Sequence, residues 1–169
     1  HVAGGSHLRD LDHESMAQGM ATTAGTVSHT GVGGLTTGGG FGRLARRFGL
    51  ALDNVQSVDV VTADGQLVHA SAQENPDLYW GVRGGGGNFG VVTSFQFKLH
   101  PMQRTVIGGD IVYPLDKLKD VLGFYADYVA EAPDDLYLDC AVASKQGTTE
   151  GVVLISTCYS GPQSGADKI

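Results

Sequence analysis

The residue types that announce most site chemistries are scarce in this chain. Its 169 residues hold two cysteines, five prolines and one tryptophan. Cys140 and Cys158 each sit inside an apolar, strand-like run, the setting of buried free thiols. A disulfide between neighbouring strands stays open, because spacing alone does not decide one. There is no CxxC and no histidine pair at metal-ligand spacing, which removes the common zinc sites. Cations are few, 11 Lys and Arg against 18 Asp and Glu, and the net charge is −7. That balance argues against nucleic acid or an anionic membrane surface as the main partner. No apolar run approaches the length of a membrane span, and no charged segment leads into a signal-type apolar stretch. Neither GxxxxGKS nor GxxxxGKT occurs, so a P-loop hydrolase is excluded, and without GxSxG hydrolase chemistry has no visible nucleophile.

Glycine is abundant instead, with 26 residues. It gathers in two clusters, Gly31-Val32-Gly33-Gly34-Leu35-Thr36-Thr37-Gly38-Gly39-Gly40-Phe41-Gly42 and Arg83-Gly84-Gly85-Gly86-Gly87-Asn88-Phe89-Gly90-Val91-Val92. Glycine at this density weakens any regular element, so each cluster needs a local reason. The reasons available are a positive φ or a backbone that must pass close to something. Exposed backbone N–H groups form concavities suited to phosphate or to a flat polar heterocycle. Two such segments in one short chain point to one large ligand touched at several places.

The rest of the pattern is mixed. Leu8 to Met20 reads as a helix capped by Ser6, with Arg9 where a capping box needs Glu. Ala21 to Gly25 reads as extended and the first glycine cluster as loop. Arg43 to Phe48 is a helical turn closed by Gly49. Val55–Thr62 and Gln66–Ser71 alternate about Ala63-Asp64-Gly65, a hairpin signal. Asn75-Pro76-Asp77 opens a short helix, which the second cluster ends, and Val91–Leu99 is a strand stopped by Pro101. After a boundary near His100 to Arg104 come strand Val106–Tyr113, helix Leu115–Glu131 and strands Leu136–Ala143 and Val152–Tyr159. Leu118, Val121, Leu122, Tyr125, Tyr128 and Val129 recur at helical spacing, a face that packs onto a sheet. The class is α+β. Both ends of the sequence read as cut from a longer polypeptide.

Gly40-Phe41-Gly42-Arg43-Leu44-Ala45 matches a loose dinucleotide fingerprint. That fingerprint needs a buried strand before it and a βαβ unit around it. Leu35-Thr36-Thr37-Gly38 is a poor buried strand and a hairpin follows, so a Rossmann site is rejected.

Taken together, Gly31 to Gly42, Leu52-Asp53-Asn54-Val55 and Asn75 to Thr93 resemble the FAD-linked oxidases of the vanillyl-alcohol oxidase / p-cresol methylhydroxylase superfamily. The bacterial members of the berberine-bridge-enzyme-like branch are the nearest match. The resemblance covers essentially the whole chain and is strongest from Ala21 to Pro101. It implies that residues 1–103 are the second subdomain of a PCMH-type FAD-binding domain. Residues 104–169 would then begin an antiparallel-sheet substrate domain. The first FAD subdomain, with its pyrophosphate loop and flavin-linked histidine, is expected upstream. The usual tyrosine base is expected downstream, so no catalytic residue is assigned here.

The same resemblance implies which residues touch FAD. Gly25, Thr26, Val27, His29, Thr30, Gly31, Val32, Gly33, Gly34 and Leu35 would line the flavin, largely through backbone amides. Gly38, Gly39, Gly40, Phe41 and Gly42 would admit the cofactor, with Asn54 beside them. Gly90, Val91 and Val92 would lie at the adenine or ribose side. Some relatives carry a cysteine that attaches to flavin C6 at the position held here by Val27, so no second covalent link through this chain is expected. His7, His13, His69 and His100 read as solvated. Tyr113, Tyr137 and Tyr159 read as strand-packing residues.

The implied activity moves hydride from a small-molecule substrate C–H to flavin N5, with O2 reduced to H2O2. A non-catalytic fragment or split-chain remnant, and a non-redox nucleotide-binding domain, stay open as alternatives. An apolar face normally covered by the rest of such an enzyme predicts poor solubility for 1–169 alone.

Overall fold

The computed structural model describes residues 1–144, 147–148 and 150–168. The chain divides into two compact units, His1–Arg104 and Thr105–Ile169. Among the described residues no helix is long and apolar enough to cross a membrane.

The first unit is built on a four-stranded antiparallel sheet ordered β1-β5-β3-β4. The strands are β1 (Val2–Ala3), β3 (Val55–Val61), β4 (Leu67–Ser71) and β5 (Val91–Phe97). The expected hairpin is β3 and β4, with Val58 opposite Ala70 and Val60 opposite Val68. Gly65 takes φ +79°, which the Asp64-Gly65 turn requires. Val58, Val60 and Ala70 point to the core beside Phe95. Leu8 and Leu11 of α1 (Leu8–Ala17) join them, as do Val32 and Val82. Phe95, 1% exposed, lies centrally in this cluster and stacks near Phe97 with ring centroids 5.8 Å apart.

A second, two-stranded pairing joins β2 (Met20–Ala21) to β6 (His100–Pro101), with Ala21 opposite His100. Short helices α3 (Ala45–Phe48) and α4 (Pro76–Val82) complete the unit. All strand pairs are antiparallel, and Gly40 to Gly42 follow a helix rather than a strand. That geometry is incompatible with a Rossmann unit.

Two expectations change. The cap of α1 is His7, not Ser6, and Asp10 supplies the carboxylate half of a capping box by accepting the His7 backbone N–H at 2.9 Å. The first glycine cluster is not all loop. Val32–Thr37 forms a helix, α2, with Gly31 and Gly38 at its ends. Val32, Thr36 and Thr37 are buried, and Thr37 donates its hydroxyl to the Gly33 carbonyl. Packing of that inner face overrides the poor helix propensity of Gly33 and Gly34.

In the second unit β7 (Ile107–Pro114), β9 (Gly151–Tyr159) and β8 (Leu136–Ser144) form an antiparallel sheet in that spatial order. A 3₁₀ turn, Leu115–Lys117, leads into α5 (Leu118–Glu131). Val121 and Leu118 pack on Val153, Ile155 and Tyr113, while Tyr128 packs beside Leu136 and Tyr159. Tyr125 donates its hydroxyl to the Leu138 carbonyl. Leu122, expected on the packing face, is 44% exposed instead.

Truncating the central aromatic tests this core. Phe95→Ala should cost about 3–5 kcal/mol, lowering the urea midpoint of the first unit and leaving the exchange protection of β9 unchanged.

Candidate functional site

The site is built outward from α1. The first amides of a helix lack intrahelical partners. Here Leu8 N–H donates to the Thr30 carbonyl and Arg9 N–H to the Ser28 carbonyl, each at 2.9 Å. In return Val32 N–H donates to the Ser6 carbonyl at 2.8 Å. The 28–32 segment is therefore clamped against the start of α1, and Thr26 to His29 are left facing solvent.

The helix that follows has two unlike faces. Inward lie Val32, Thr36 and Thr37. Outward lie Gly31, Gly34 and Gly38, all exposed. Positions i, i+3 and i+7 share one helix face, so the outer face of α2 carries no side chain. A Cβ placed on Gly31 or Gly34 meets nothing within 4 Å. Nothing within the chain demands glycine there, unlike at Gly42, where a Cβ would overlap the Ala24 carbonyl, or Gly40, where it would overlap Ala51.

Three sequence motifs meet behind this face. The Gly40 and Gly39 carbonyls accept Ala51 N–H at 2.8 Å and Leu52 N–H at 3.0 Å. The Leu52 carbonyl in turn accepts Nε–H of Arg83 at 2.9 Å, and Gly84 N–H donates to the Thr37 carbonyl at 2.9 Å. Arg83 also lies over the Tyr79 ring at 4.7 Å and 3.8 Å from the Asp53 carboxylate. Arg83 opens the second glycine cluster in the sequence but is not among the expected cofactor-contact residues. The spacing of the Leu52 and Arg83 motifs gave no sign that they bond to each other.

The expected site residues thus separate by direction. Thr26, Val27, His29, Gly31, Gly34, Gly38, Phe41 and Val91 are exposed, Phe41 by 62% and Val91 by 69%. Val32 is 0% exposed, and its amide is committed to Ser6. Gly33 faces Gly4, and Leu35 packs between Gly25 and Gly40. Gly39 has φ +120° and Gly90 φ +132°, with Gly90 against the Val61 carbonyl. Thr30 and Val92 are partly covered, and the Val92 carbonyl lies against Gly4. Asn54 is 2% exposed and spends its side chain on neighbours, donating to the carbonyls of Phe48 and Leu50 at 3.0 and 2.8 Å. Its side chain can shape the site only through those neighbours.

A side-chain-free helix face, preceded in the chain by an exposed polar loop and followed by an exposed aromatic, fits one face of a planar ring system. Thr22 and Thr23 at the root of the loop hold buried hydroxyls without a partner among the described residues. Among those residues no group of three or more His, Cys, Asp or Glu could hold a metal ion.

Comparison with known proteins identifies the architecture. Residues 1–71 match the FAD binding domain family. An FAD-linked oxidoreductase of Dictyostelium discoideum is 40% identical over 96% of this chain and 35% of its own length. The chain belongs to the PCMH-type FAD-linked oxidoreductases. Among solved structures, 6-hydroxy-D-nicotine oxidase from Arthrobacter nicotinovorans superposes with a TM-score of 0.88 at 31% identity, covering 99% of this chain and 37% of that one. Phl p 4, a grass pollen allergen with glucose dehydrogenase activity, gives a TM-score of 0.83 at 32% identity over 95% of this chain and 32% of that one. FAD is the cofactor of this family. The chain spans about a third of the length of these relatives.

The two kinds of glycine separate by stability. Gly42→Ala should destabilise the first unit by about 1–3 kcal/mol through overlap with Ala24. Gly34→Ala should stabilise it by about 0.5–1 kcal/mol through helix propensity. Denaturant titration of both variants checks the pair.

Proposed function

We propose that this chain supplies the flavin-facing subdomain and the opening of the substrate domain of an FAD-dependent oxidase acting on a small molecule. The observation that carries the reading is the outer face of α2, where Gly31, Gly34 and Gly38 leave bare backbone exposed. When bound, FAD supplies the redox step, taking a hydride from a substrate C–H at N5 and passing two electrons to O2 to give H2O2.

The chain's own residues bind and orient. The side-chain-free face of α2 would receive the isoalloxazine. Thr26 to Thr30 would line it with backbone and hydroxyl groups, with Val27 in the place where a cysteine would attach. Phe41 would touch the cofactor, and Gly90 with Val91 and Val92 at the start of β5 would take the adenine or ribose side. Val32, Gly33, Leu35, Gly40, Gly42 and Asn54 hold these contact groups in place from behind. Residues 1–103 serve as the second FAD subdomain and 104–169 as the start of the substrate domain.

No residue of this chain is assigned as the base that takes the substrate O–H or N–H proton. Tyr113 packs on α5 with Val153 and Ile155, and Tyr159 donates its hydroxyl to the Pro162 carbonyl, in keeping with strand-packing roles. The 6-hydroxynicotine relative favours an oxidase. A dehydrogenase is the second reading, favoured by Phl p 4, which is a glucose dehydrogenase while a variant of it is a glucose oxidase.

The polypeptide carrying this chain should show two flavin absorption bands as purified, and peroxide should accumulate during turnover in air. A colourless protein that takes up no added FAD defeats the proposal, and turnover without peroxide moves it to the dehydrogenase. Gly34→Ala should weaken FAD binding about tenfold, equivalent to ~1.4 kcal/mol, in titrations of flavin fluorescence. Peptide mapping should find no flavin on the segment from Gly25 to Gly31.

A further inference from the structure

We propose that His100 is a positioning residue of the cofactor site: its imidazole holds Asn54 and Phe48, and through them the turn that fixes the glycine segment behind the flavin. The inference rests on the FAD reading above.

Asn54 fixes the chemistry. Its Nδ2 lies 3.0 Å from the Phe48 carbonyl and 2.8 Å from the Leu50 carbonyl. Both are acceptors, so the amide nitrogen must face them and Oδ1 must face the other way. Oδ1 stands 2.7 Å from Nε2 of His100. An amide oxygen only accepts, so Nε2 carries the proton, and in the neutral ring Nδ1 is bare. The same ring stacks on Phe48 with centroids 4.0 Å apart and planes 7° from parallel.

His100 therefore grips the 48–54 turn at two points, the Phe48 ring and the Asn54 amide. That turn gives the Ala51 and Leu52 amides that bind the Gly40 and Gly39 carbonyls at the end of α2. The backbone of His100 grips the other arm of the site, because it lies opposite Ala21 on β2. Four residues beyond Ala21 is Gly25. One residue thus sets both the entry and the exit of the segment from Gly25 to Gly42.

The charged groups nearest the ring are cationic. Burial first, and then Lys98 at the end of β5 and Arg47 on α3, hold the imidazole below its ordinary value of 6.5. Asp53 on the turn is engaged with Leu50 N–H and Arg83, and β2 brings only Met20 and Ala21. The neutral ring is favoured in the fold. Its contribution is complete above about pH 6.5 and is lost as pH falls through that value toward the lowered one.

Amide hydrogen exchange without FAD and FAD affinity by fluorescence, measured on the polypeptide carrying this chain, test the proposal together. His100→Phe keeps a ring against Phe48 and removes the donor. It should lower protection at Ala51 and Leu52 and weaken FAD binding, each about tenfold, with Val58 and Val60 protected as before. His100→Gln restores an N–H donor and should recover most of both. In the wild type, protection at Ala51 and Leu52, corrected for intrinsic rate, should fall below pH 6.5, and the fall should vanish in His100→Phe. Unchanged exchange and affinity in His100→Phe, or equal losses in His100→Gln, overturn the role. Should neither variant fold, the imidazole ¹⁵N shifts of the wild type decide. Protonated Nε2 with bare Nδ1 at pH 7 supports the role, and the opposite tautomer or an imidazolium overturns it. Wild-type protein that binds no FAD defeats the cofactor reading instead, so the two failures are distinguishable.

Discussion

The anchoring of α2 by its inner face is the constraint on which the site depends. A six-residue helix with glycine at two interior positions and at both ends has little tendency to form on its own. It stands because Val32, Thr36 and Thr37 are buried and because Thr37 and Gly84 are joined through the backbone. Stability comes entirely from one side, which leaves the other side free of side chains. The features that look most like weakness in the sequence are the ones that expose backbone where a planar cofactor can reach it.

The motifs work as one body. The Leu52-Asp53-Asn54-Val55 turn stands between the two glycine clusters and bonds to each, by Ala51 and Leu52 on one side and by the Leu52 carbonyl with Arg83 on the other. Asn54 closes the turn from inside. The two clusters are thus held to one turn and, through Gly84 and Thr37, to each other.

Much of this was legible from residues alone. Asp64-Gly65 specified the β3–β4 hairpin because only a positive-φ residue suits that turn. The spacing of Val121, Tyr125 and Tyr128 specified α5. The glycine clusters and the resemblance built on them pointed to FAD. Local signals failed where tertiary packing decides. No propensity places a helix at Val32–Thr37. Ser6 is the better capping residue by type, yet its carbonyl is taken by Val32, and His7 caps instead. Asn54 and His100 stand 46 residues apart, so their pairing could not be read from spacing, and a histidine at the end of a strand looked solvated. Leu122 fits the helical period, yet it stays exposed and outside the packed face of α5.

The pairing of β1 with β5 also orders events in time. Val2 meets Phe95, and Gly4 N–H meets the Thr93 carbonyl, so the first strand of the unit waits for its eighth dozen residues before it has a neighbour. The same wait applies to the glycine segment, whose tethers at Gly84 and His100 lie downstream of it. Contacts of such long sequence separation are slow to close. On a growing chain, residues 25 to 42 leave the ribosome with only the α1 side of their supports synthesised. The cofactor surface gains its full set of tethers only once His100 has emerged.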